Sequence, residues 1–327
     1  MAALLAAGML ASCGGADAGA GEKVSPETET AQKVETVSET EQDAGIQKAE
    51  KCIEDAFAEN GITDFEKIDL SGYEQQADLA LADSYVSYHF FYESDGLNIE
   101  AYLSAPKELL EGESPSECLI YNHGGNKDYG ALGEVDTTFY AYQCQTVCVA
   151  SNYRGCGKSE GTDTFGGQDV DDVIHLIDLC EKMPFIDKNR INMYGVSRGG
   201  MMTYETLRDD DRIHRAVVVA GIADSFMEYD ERDDMKEVYQ ELLGGTPQEI
   251  PEEYEKRSAT YWADQIDTPL LILHTTGDDR VSIEQAKQLA AKLQAAGKEY
   301  QFILDGSGGH GELSPENVEA IRQWLSE

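Results

Sequence analysis

Ser197 stands between two glycines in Gly195-Val196-Ser197-Arg198-Gly199, where a short apolar strand pattern gives way to an amphipathic helical one. A strand-to-helix turn this tight has no room for a Cβ two residues either side of the serine, and it pushes the serine Oγ out at the end of the sheet. The same turn sets the amide of Arg198 at a helix N-terminus, where unpaired N–H groups and the helix dipole favour negative charge. A serine hydroxyl is a poor nucleophile until a base takes its proton and a carboxylate orients that base. Two loops offer such groups. Leu271-Ile272-Leu273-His274 runs into Thr275-Thr276-Gly277-Asp278-Asp279-Arg280-Val281, and Phe302-Ile303-Leu304 runs into Asp305-Gly306-Ser307-Gly308-Gly309-His310-Gly311. Ser197, Asp278 and His310 in this chain order are therefore the candidate nucleophile, acid and base, and the chemistry they imply is acyl transfer.

Three side chains so far apart in sequence can meet only if their loops leave the same end of a sheet. Apolar runs recur at Tyr85 to Phe91, Leu97 to Leu103, Cys118 to Tyr121, Thr146 to Ser151, Arg190 to Tyr194, Ala216 to Ala220, Leu270 to His274 and Tyr300 to Leu304, which predicts eight strands. The first two, joined by Ser94-Asp95-Gly96, read as an antiparallel hairpin. The others alternate with helical patterns near 130–143, 168–183, 198–208, 283–296 and 314–326, so the fold class is α/β: a mostly parallel eight-stranded sheet with helices on both faces. Serine, acid, histidine at strand ends is the order of the α/β-hydrolase fold. In that fold the loop after the third strand, here Tyr121-Asn122-His123-Gly124-Gly125-Asn126, supplies a second oxyanion donor, which points to the Gly125 amide as the partner of the Arg198 amide. The stretch from 222 to 267, rich in Asp, Glu and Tyr, reads as a helical insertion over the sheet edge, close to the site.

Asn152-Tyr153-Arg154-Gly155, Gly166-Gly167-Gln168-Asp169-Val170, Tyr194 to Gly200, Arg257-Ser258-Ala259 and Asp278-Asp279-Arg280-Val281 together resemble the catalytic domain of the prolyl oligopeptidase family of serine peptidases, over roughly 85–326. The likeness implies Asp278 as the acid, three residues before the valine, with Asp279 as the fallback. Two departures stand out. Thr275 occupies a position where the family usually has glycine, and the N-terminal part is too short for the β-propeller that many relatives carry, so exopeptidase specificity is not implied.

Charge narrows the partners. With 25 Lys plus Arg against 63 Asp plus Glu, the net charge of −38 disfavours nucleic acid and other polyanions at long range. The apolar start, 1–13, ends in Leu10-Ala11-Ser12-Cys13, which resembles a bacterial lipoprotein box with Cys13 as the lipidated residue; it has no early Lys or Arg. Residues 14–45 are small, polar and acidic and predict a disordered tether, and 46–327 the catalytic domain, opening on a helix from Ile46 to Asn60. The expected location is extracytoplasmic, anchored by lipid to the bacterial cell membrane. Of the cysteines, Cys118, Cys148 and Cys180 fall on buried strand or helix positions, and Cys144-x-x-x-Cys148 is too little for a metal site. His123 is expected to shape the oxyanion loop, His274 to cap its strand, and His89, His175 and His214 to be structural; the runs at Asp209 and Asp230 lack the pattern of a calcium loop.

The reading is a serine hydrolase needing no metal or organic cofactor. It cleaves a peptide through an acyl-enzyme, or alternatively an ester with the same three residues. A reading of another class is an inert hydrolase-fold binding protein held at the membrane.

Overall fold

The computed structural model describes residues 39–73, 81–112, 114–306 and 308–327. The segment around Cys13 and the greater part of the expected tether lie outside them.

Runs of branched and aromatic residues build nine strands: β1 Phe65–Lys67, β2 Tyr85–Ser94, β3 Leu97–Pro106, β4 Ser116–Asn122, β5 Val147–Ser151, β6 Ile186–Val196, β7 Ala216–Val219, β8 Leu270–Thr275 and β9 Tyr300–Asp305. They form one sheet in the order β1-β2-β3-β5-β4-β6-β7-β8-β9. The eight expected strands are present and β1 is the addition, since three residues are too few to show an alternation. β1, β2 and β3 pair antiparallel, as do β3 and β5, and every pairing from β5 to β9 is parallel.

Both faces of this sheet are covered, as a parallel sheet requires. Neighbouring residues alternate between them: Ile120, Val218 and Ile272 face one apolar layer, and Leu119, Val217 and Leu271 the other. The first layer is closed by α1 (Glu39–Glu59), α3 (Asp169–Cys180), α4 (Arg198–Asp209) and α8 (Ile283–Ala296), through Phe57, Leu176, Met202 and Leu289. The second is closed by α2 (Asp136–Cys144) and α9 (Pro315–Ser326), through Ala141, Ile321 and Trp324. Helix α1 starts at Glu39 rather than Ile46, so the expected tether is shorter at its inner end. A helix once nucleated propagates cheaply through helix formers, and Glu, Gln and Ala supply them here.

The 222–267 insertion consists mainly of α5 (Ser225–Glu231), α6 (Asp233–Leu243) and α7 (Pro251–Lys256). It does not lie over the sheet edge. It leaves between β7 and β8, two interior strands, and its Tyr229, Tyr239 and Tyr254 form a third apolar cluster with Phe165, Met201 and Val281. Those residues come from the loop before α3, from α4 and from the loop after β8, so the insertion roofs the carboxyl end of the sheet. Among the described residues no helix is long and apolar enough to cross a membrane.

Candidate active site

The chain reverses its direction across the sheet at β4: β5 lies on one side of it and β6 on the other. At such a switch point the loops after the two strands diverge and leave a crevice at their carboxyl ends. Asn122 pairs with Gly195, so the loop after β4 and the turn after β6 emerge side by side at one level.

Ser197 occupies that turn with φ 59° and ψ −123°, a left-handed conformation that costs a non-glycine residue free energy. The surroundings impose it. Ser197 N–H donates to Val219 O at 3.1 Å, and its carbonyl accepts from Gly200 N at 2.9 Å and Ile222 N at 3.2 Å. A Cβ on Gly195 would stand 2.2 Å from Gly199 O, and one on Gly199 would stand 1.9 Å from Asn122 O, so both glycines are required by close backbone approach. The serine is partly exposed and α4 starts at Arg198, which sets the N-terminus of a deeply buried helix at the turn.

The loop after β4 lies against the serine: a Cβ on Gly124 would be 3.6 Å from Ser197 Oγ. Gly125 follows with φ +82° and has Tyr129 O so near that a side chain there is excluded. His123 is buried, and its Nδ1 donates to Gly124 O at 2.8 Å while its ring stacks on Tyr153 with centroids 4.4 Å apart. Burial and the nearby Arg198 cation lower the His123 pKa to about 4, so the ring is neutral near pH 7. His123 thus shapes this loop, as expected.

Asp278 and His310 meet across the ends of β8 and β9, with His310 Nδ1 at 3.0 and 2.9 Å from the two carboxylate oxygens. Since the carboxylate accepts, Nδ1 carries the hydrogen and the lone pair is left on Nε2. Asp278 also accepts from the amides of Arg280 at 2.9 Å and Val281 at 3.0 Å. His274 adds a donor that its expected role as a strand cap did not include: its Nε2 lies 3.1 Å from Asp278 Oδ2 and 2.9 Å from Val281 O. Burial alone would raise the Asp278 pKa, but the hydrogen bonds from His274 and His310 outweigh it and hold the carboxyl well below its usual range. The departure at Thr275 is put to use, because its hydroxyl donates to Gly309 O at 2.9 Å and ties the two loops together. The His310 loop reaches the serine turn: a Cβ on Gly311 would lie 3.4 Å from Val196 Cγ1. The serine turn, the glycine loop and the Asp278–His310 pair are thus gathered at one end of the sheet.

The Arg198 side chain turns inward. It is buried and ion-paired with Asp163 and Asp169, and the backbone of the Gly166-Gly167 turn donates to Asp169 at 3.1 and 2.6 Å. The sequence alone points to a part only for its backbone amide. Arg257 and Arg154 brace the same region, Arg257 Nε donating to Phe165 O at 2.8 Å and Arg154 Nη2 to Asp172 Oδ1 at 2.7 Å. Of the cysteines, Cys156 touches Asp163 at 3.6 Å and Arg198 at 4.0 Å through its Sγ. Cys118, Cys148 and Cys180 are buried and free, and burial pushes the Cys144 and Cys156 thiols up to about 12, which disfavours the thiolate that a metal or a nucleophilic role requires. Among the described residues no group of three or more His, Cys, Asp or Glu is placed to hold a metal ion.

A model of the prolyl oligopeptidase family matches residues 134–326. The uncharacterized peptidase YtmA of Bacillus subtilis (strain 168) is 30% identical over 237 residues, spanning 72% of this chain and 90% of that protein. This chain belongs to the prolyl oligopeptidase family. Membership makes it an enzyme, a serine hydrolase of peptidase type. A longer family relative, the uncharacterized peptidase YuxL of the same bacterium, is 30% identical over 232 residues, and the match takes in 34% of its length. Among solved structures, the acylaminoacyl peptidase of Pyrococcus horikoshii superposes with a TM-score of 0.66 at 24% identity, over 79% of this chain and 43% of that one. That likeness shows the α/β-hydrolase fold. The chain spans less than half of this solved relative and about a third of YuxL.

Proposed function

We propose that this prolyl oligopeptidase family member hydrolyses peptide bonds at Ser197 through an acyl-enzyme, with His310 as base, Asp278 as the acid that orients it, and the amides of Arg198 and Gly125 as the oxyanion donors. The observation that carries the reading is the Asp278–His310 pair, held with its imidazole lone pair on Nε2 beside a serine turn strained by close backbone contacts. In the proposed sequence Nε2 takes the Ser197 proton as Oγ bonds to the substrate carbonyl carbon, and the carbonyl π pair moves to oxygen. The oxyanion accepts from the two amides, the loss of either of which typically costs about 3–4 kcal/mol at the transition state. Collapse breaks the C–N bond, and the proton on His310 goes to the departing amine. Water, deprotonated by His310, then releases the acid by the same path.

The step that separates peptidase from esterase is protonation of the leaving nitrogen, which an alkoxide leaving group needs less. A panel of p-nitroanilide peptides and p-nitrophenyl esters tests it, and the expected result is anilide turnover on unblocked or N-acylated peptides. Ester turnover with no anilide turnover at any peptide length would assign the same residues to an esterase, and turnover of neither would bring forward an inert binding protein.

The reading extends to location. Cys13, outside the described residues, is proposed as the lipid-bearing residue, because two acyl chains give stable anchoring where one does not. Cys13→Ala should move the protein from the membrane to the soluble fraction, and an unchanged membrane fraction would count against the anchor.

A further inference from the structure

If residue 198 served only through its backbone amide, many side chains would do there. The chain instead places a guanidinium beneath the serine turn at 1% exposure. A charge so far from water must be paired, and here both terminal nitrogens are engaged while Nε is left without a hydrogen-bond partner. Arg198 Nη1 donates to Asp163 Oδ2 at 2.9 Å and Nη2 to Asp163 Oδ1 at 2.6 Å, a two-point fork, and Nη2 reaches Asp169 as well. The guanidinium lies over the rings of Tyr153 at 5.2 Å and Phe165 at 4.9 Å, which fixes it further.

Beyond a contact of Nη1 with Cys156 Sγ at 4.0 Å, the remaining hydrogen bonds run to the glycine loop. Arg198 Nη1 also donates to Gly125 O at 3.2 Å, and the Lys127 amide donates to Asp163 Oδ2 at 2.7 Å. One ion pair therefore grips the loop on both sides of Asn126. The preceding carbonyl, Gly124 O, is held by His123. In a trans peptide the C=O and N–H point opposite ways, so anchoring Gly124 O on one side turns the Gly125 N–H to the other. Anchoring Gly125 O fixes the next peptide in turn. An ion pair of this kind adds little net stability over apolar groups of equal volume, whereas its forked geometry has no apolar substitute.

We propose that the Arg198 side chain, acting with Asp163, positions the glycine loop so that the Gly125 amide faces the oxyanion. The proposal rests on the reading of the site given above. Arg198 is thus engaged twice, its amide touching the reacting oxygen and its side chain acting through Gly125.

Three variants test it: Arg198→Met, Arg198→Lys and Asp163→Asn. Each is followed by thermal melting, by kcat and KM on a p-nitroanilide peptide, and by the Ki of a peptide trifluoromethyl ketone. The ketone carbon bonds to Ser197 Oγ, the serine proton passes to His310, and the resulting alkoxide sits where the oxyanion would. In folded variants KM should stay within about threefold, while kcat falls roughly 30- to 1,000-fold and the ketone Ki rises by a similar factor. Arg198→Lys, with a charge but no fork, should fall between Arg198→Met and the parent. A purely structural side chain would lower activity only in step with the folded fraction and leave the ketone affinity of the folded enzyme unchanged. That result, or unchanged kcat and Ki in folded variants, or unfolding of all three, overturns the proposal. Ser197→Ala separates the two levels. If it is inactive while the Arg198 variants match the parent, only the positioning role fails; if it retains full turnover, the reading of the site fails with it.

Discussion

Four donors converge on the Asp278 carboxylate: the rings of His310 and His274 and the amides of Arg280 and Val281. An aspartate held so far toward its charged form keeps the His310 ring oriented and stabilises the imidazolium formed when the serine proton arrives. Asp278→Asn should therefore cut kcat by about 10⁴-fold, whereas Asp279→Asn should leave it within about twofold, as expected for a surface change. Comparable losses from both would show that the acid is misassigned. As candidates, Ser197, Asp278 and His310 stand out in the sequence because each follows a strong strand pattern by a few residues in a glycine-bearing loop. The inward role of Arg198 does not. Its partners Asp163 and Asp169 lie 35 and 29 residues away, in a loop whose own periodicity says nothing of where it packs. The Gly166-Gly167-Gln168-Asp169 stretch stood out in the sequence, but only the fold shows that its aspartate faces Arg198.

Helices α5 and α8 are joined by a buried hydrogen bond, Gln285 Nε2 to Glu228 Oε2 at 2.9 Å, while Gln285 Oε1 accepts from the amides of Ala223 and Asp224 at 3.0 Å each. Burial raises the Glu228 pKa from 4.5 to about 7, against the lowering effects of Gln285 and Arg232, and the neighbouring charges of Glu231 and Asp278 push the same way as burial. A carboxyl raised in the folded state contributes stability that is complete below its unfolded pKa and is lost as pH rises through its folded one. For Glu228 that window runs from 4.5 to about 7. Glu228→Gln keeps the shape and removes the titration, so the melting temperature of the variant relative to the parent should climb across this range and level off above it. Parallel melting curves of the two proteins from about pH 5 to 8 would contradict the account. The insertion carrying Glu228 was readable as helical and as close to the site, but its seat over the carboxyl end of interior strands rather than the sheet edge was not. That place follows from Tyr229, Tyr239 and Tyr254 packing with Phe165 and Met201, a contact between segments distant in sequence.

At the scale of the molecule, alternation of strand and helix patterns was enough to fix the architecture, because a parallel sheet needs apolar strands and a covering helix between each pair. It left out β1, three residues whose place is set by pairing with β2 through Phe65 and Phe90. Strand order was not read from the sequence, and it is the order that creates the crevice: β5 and β6 flank β4, so the glycine loop and the serine turn leave adjacent strands. The loops after β8 and β9 then bring Asp278 and His310 to the same end. The most direct test of this assembly is labelling by a fluorophosphonate probe, read by mass spectrometry of the modified peptide and compared between the parent and Ser197→Ala. The account predicts a single adduct on Ser197 in the parent, none in the variant, and a kcat lower by about 10⁴-fold or more in the variant with an unchanged melting curve. A folded parent protein that takes no label, or a Ser197→Ala protein that still hydrolyses peptides at the parent's rate, would contradict it.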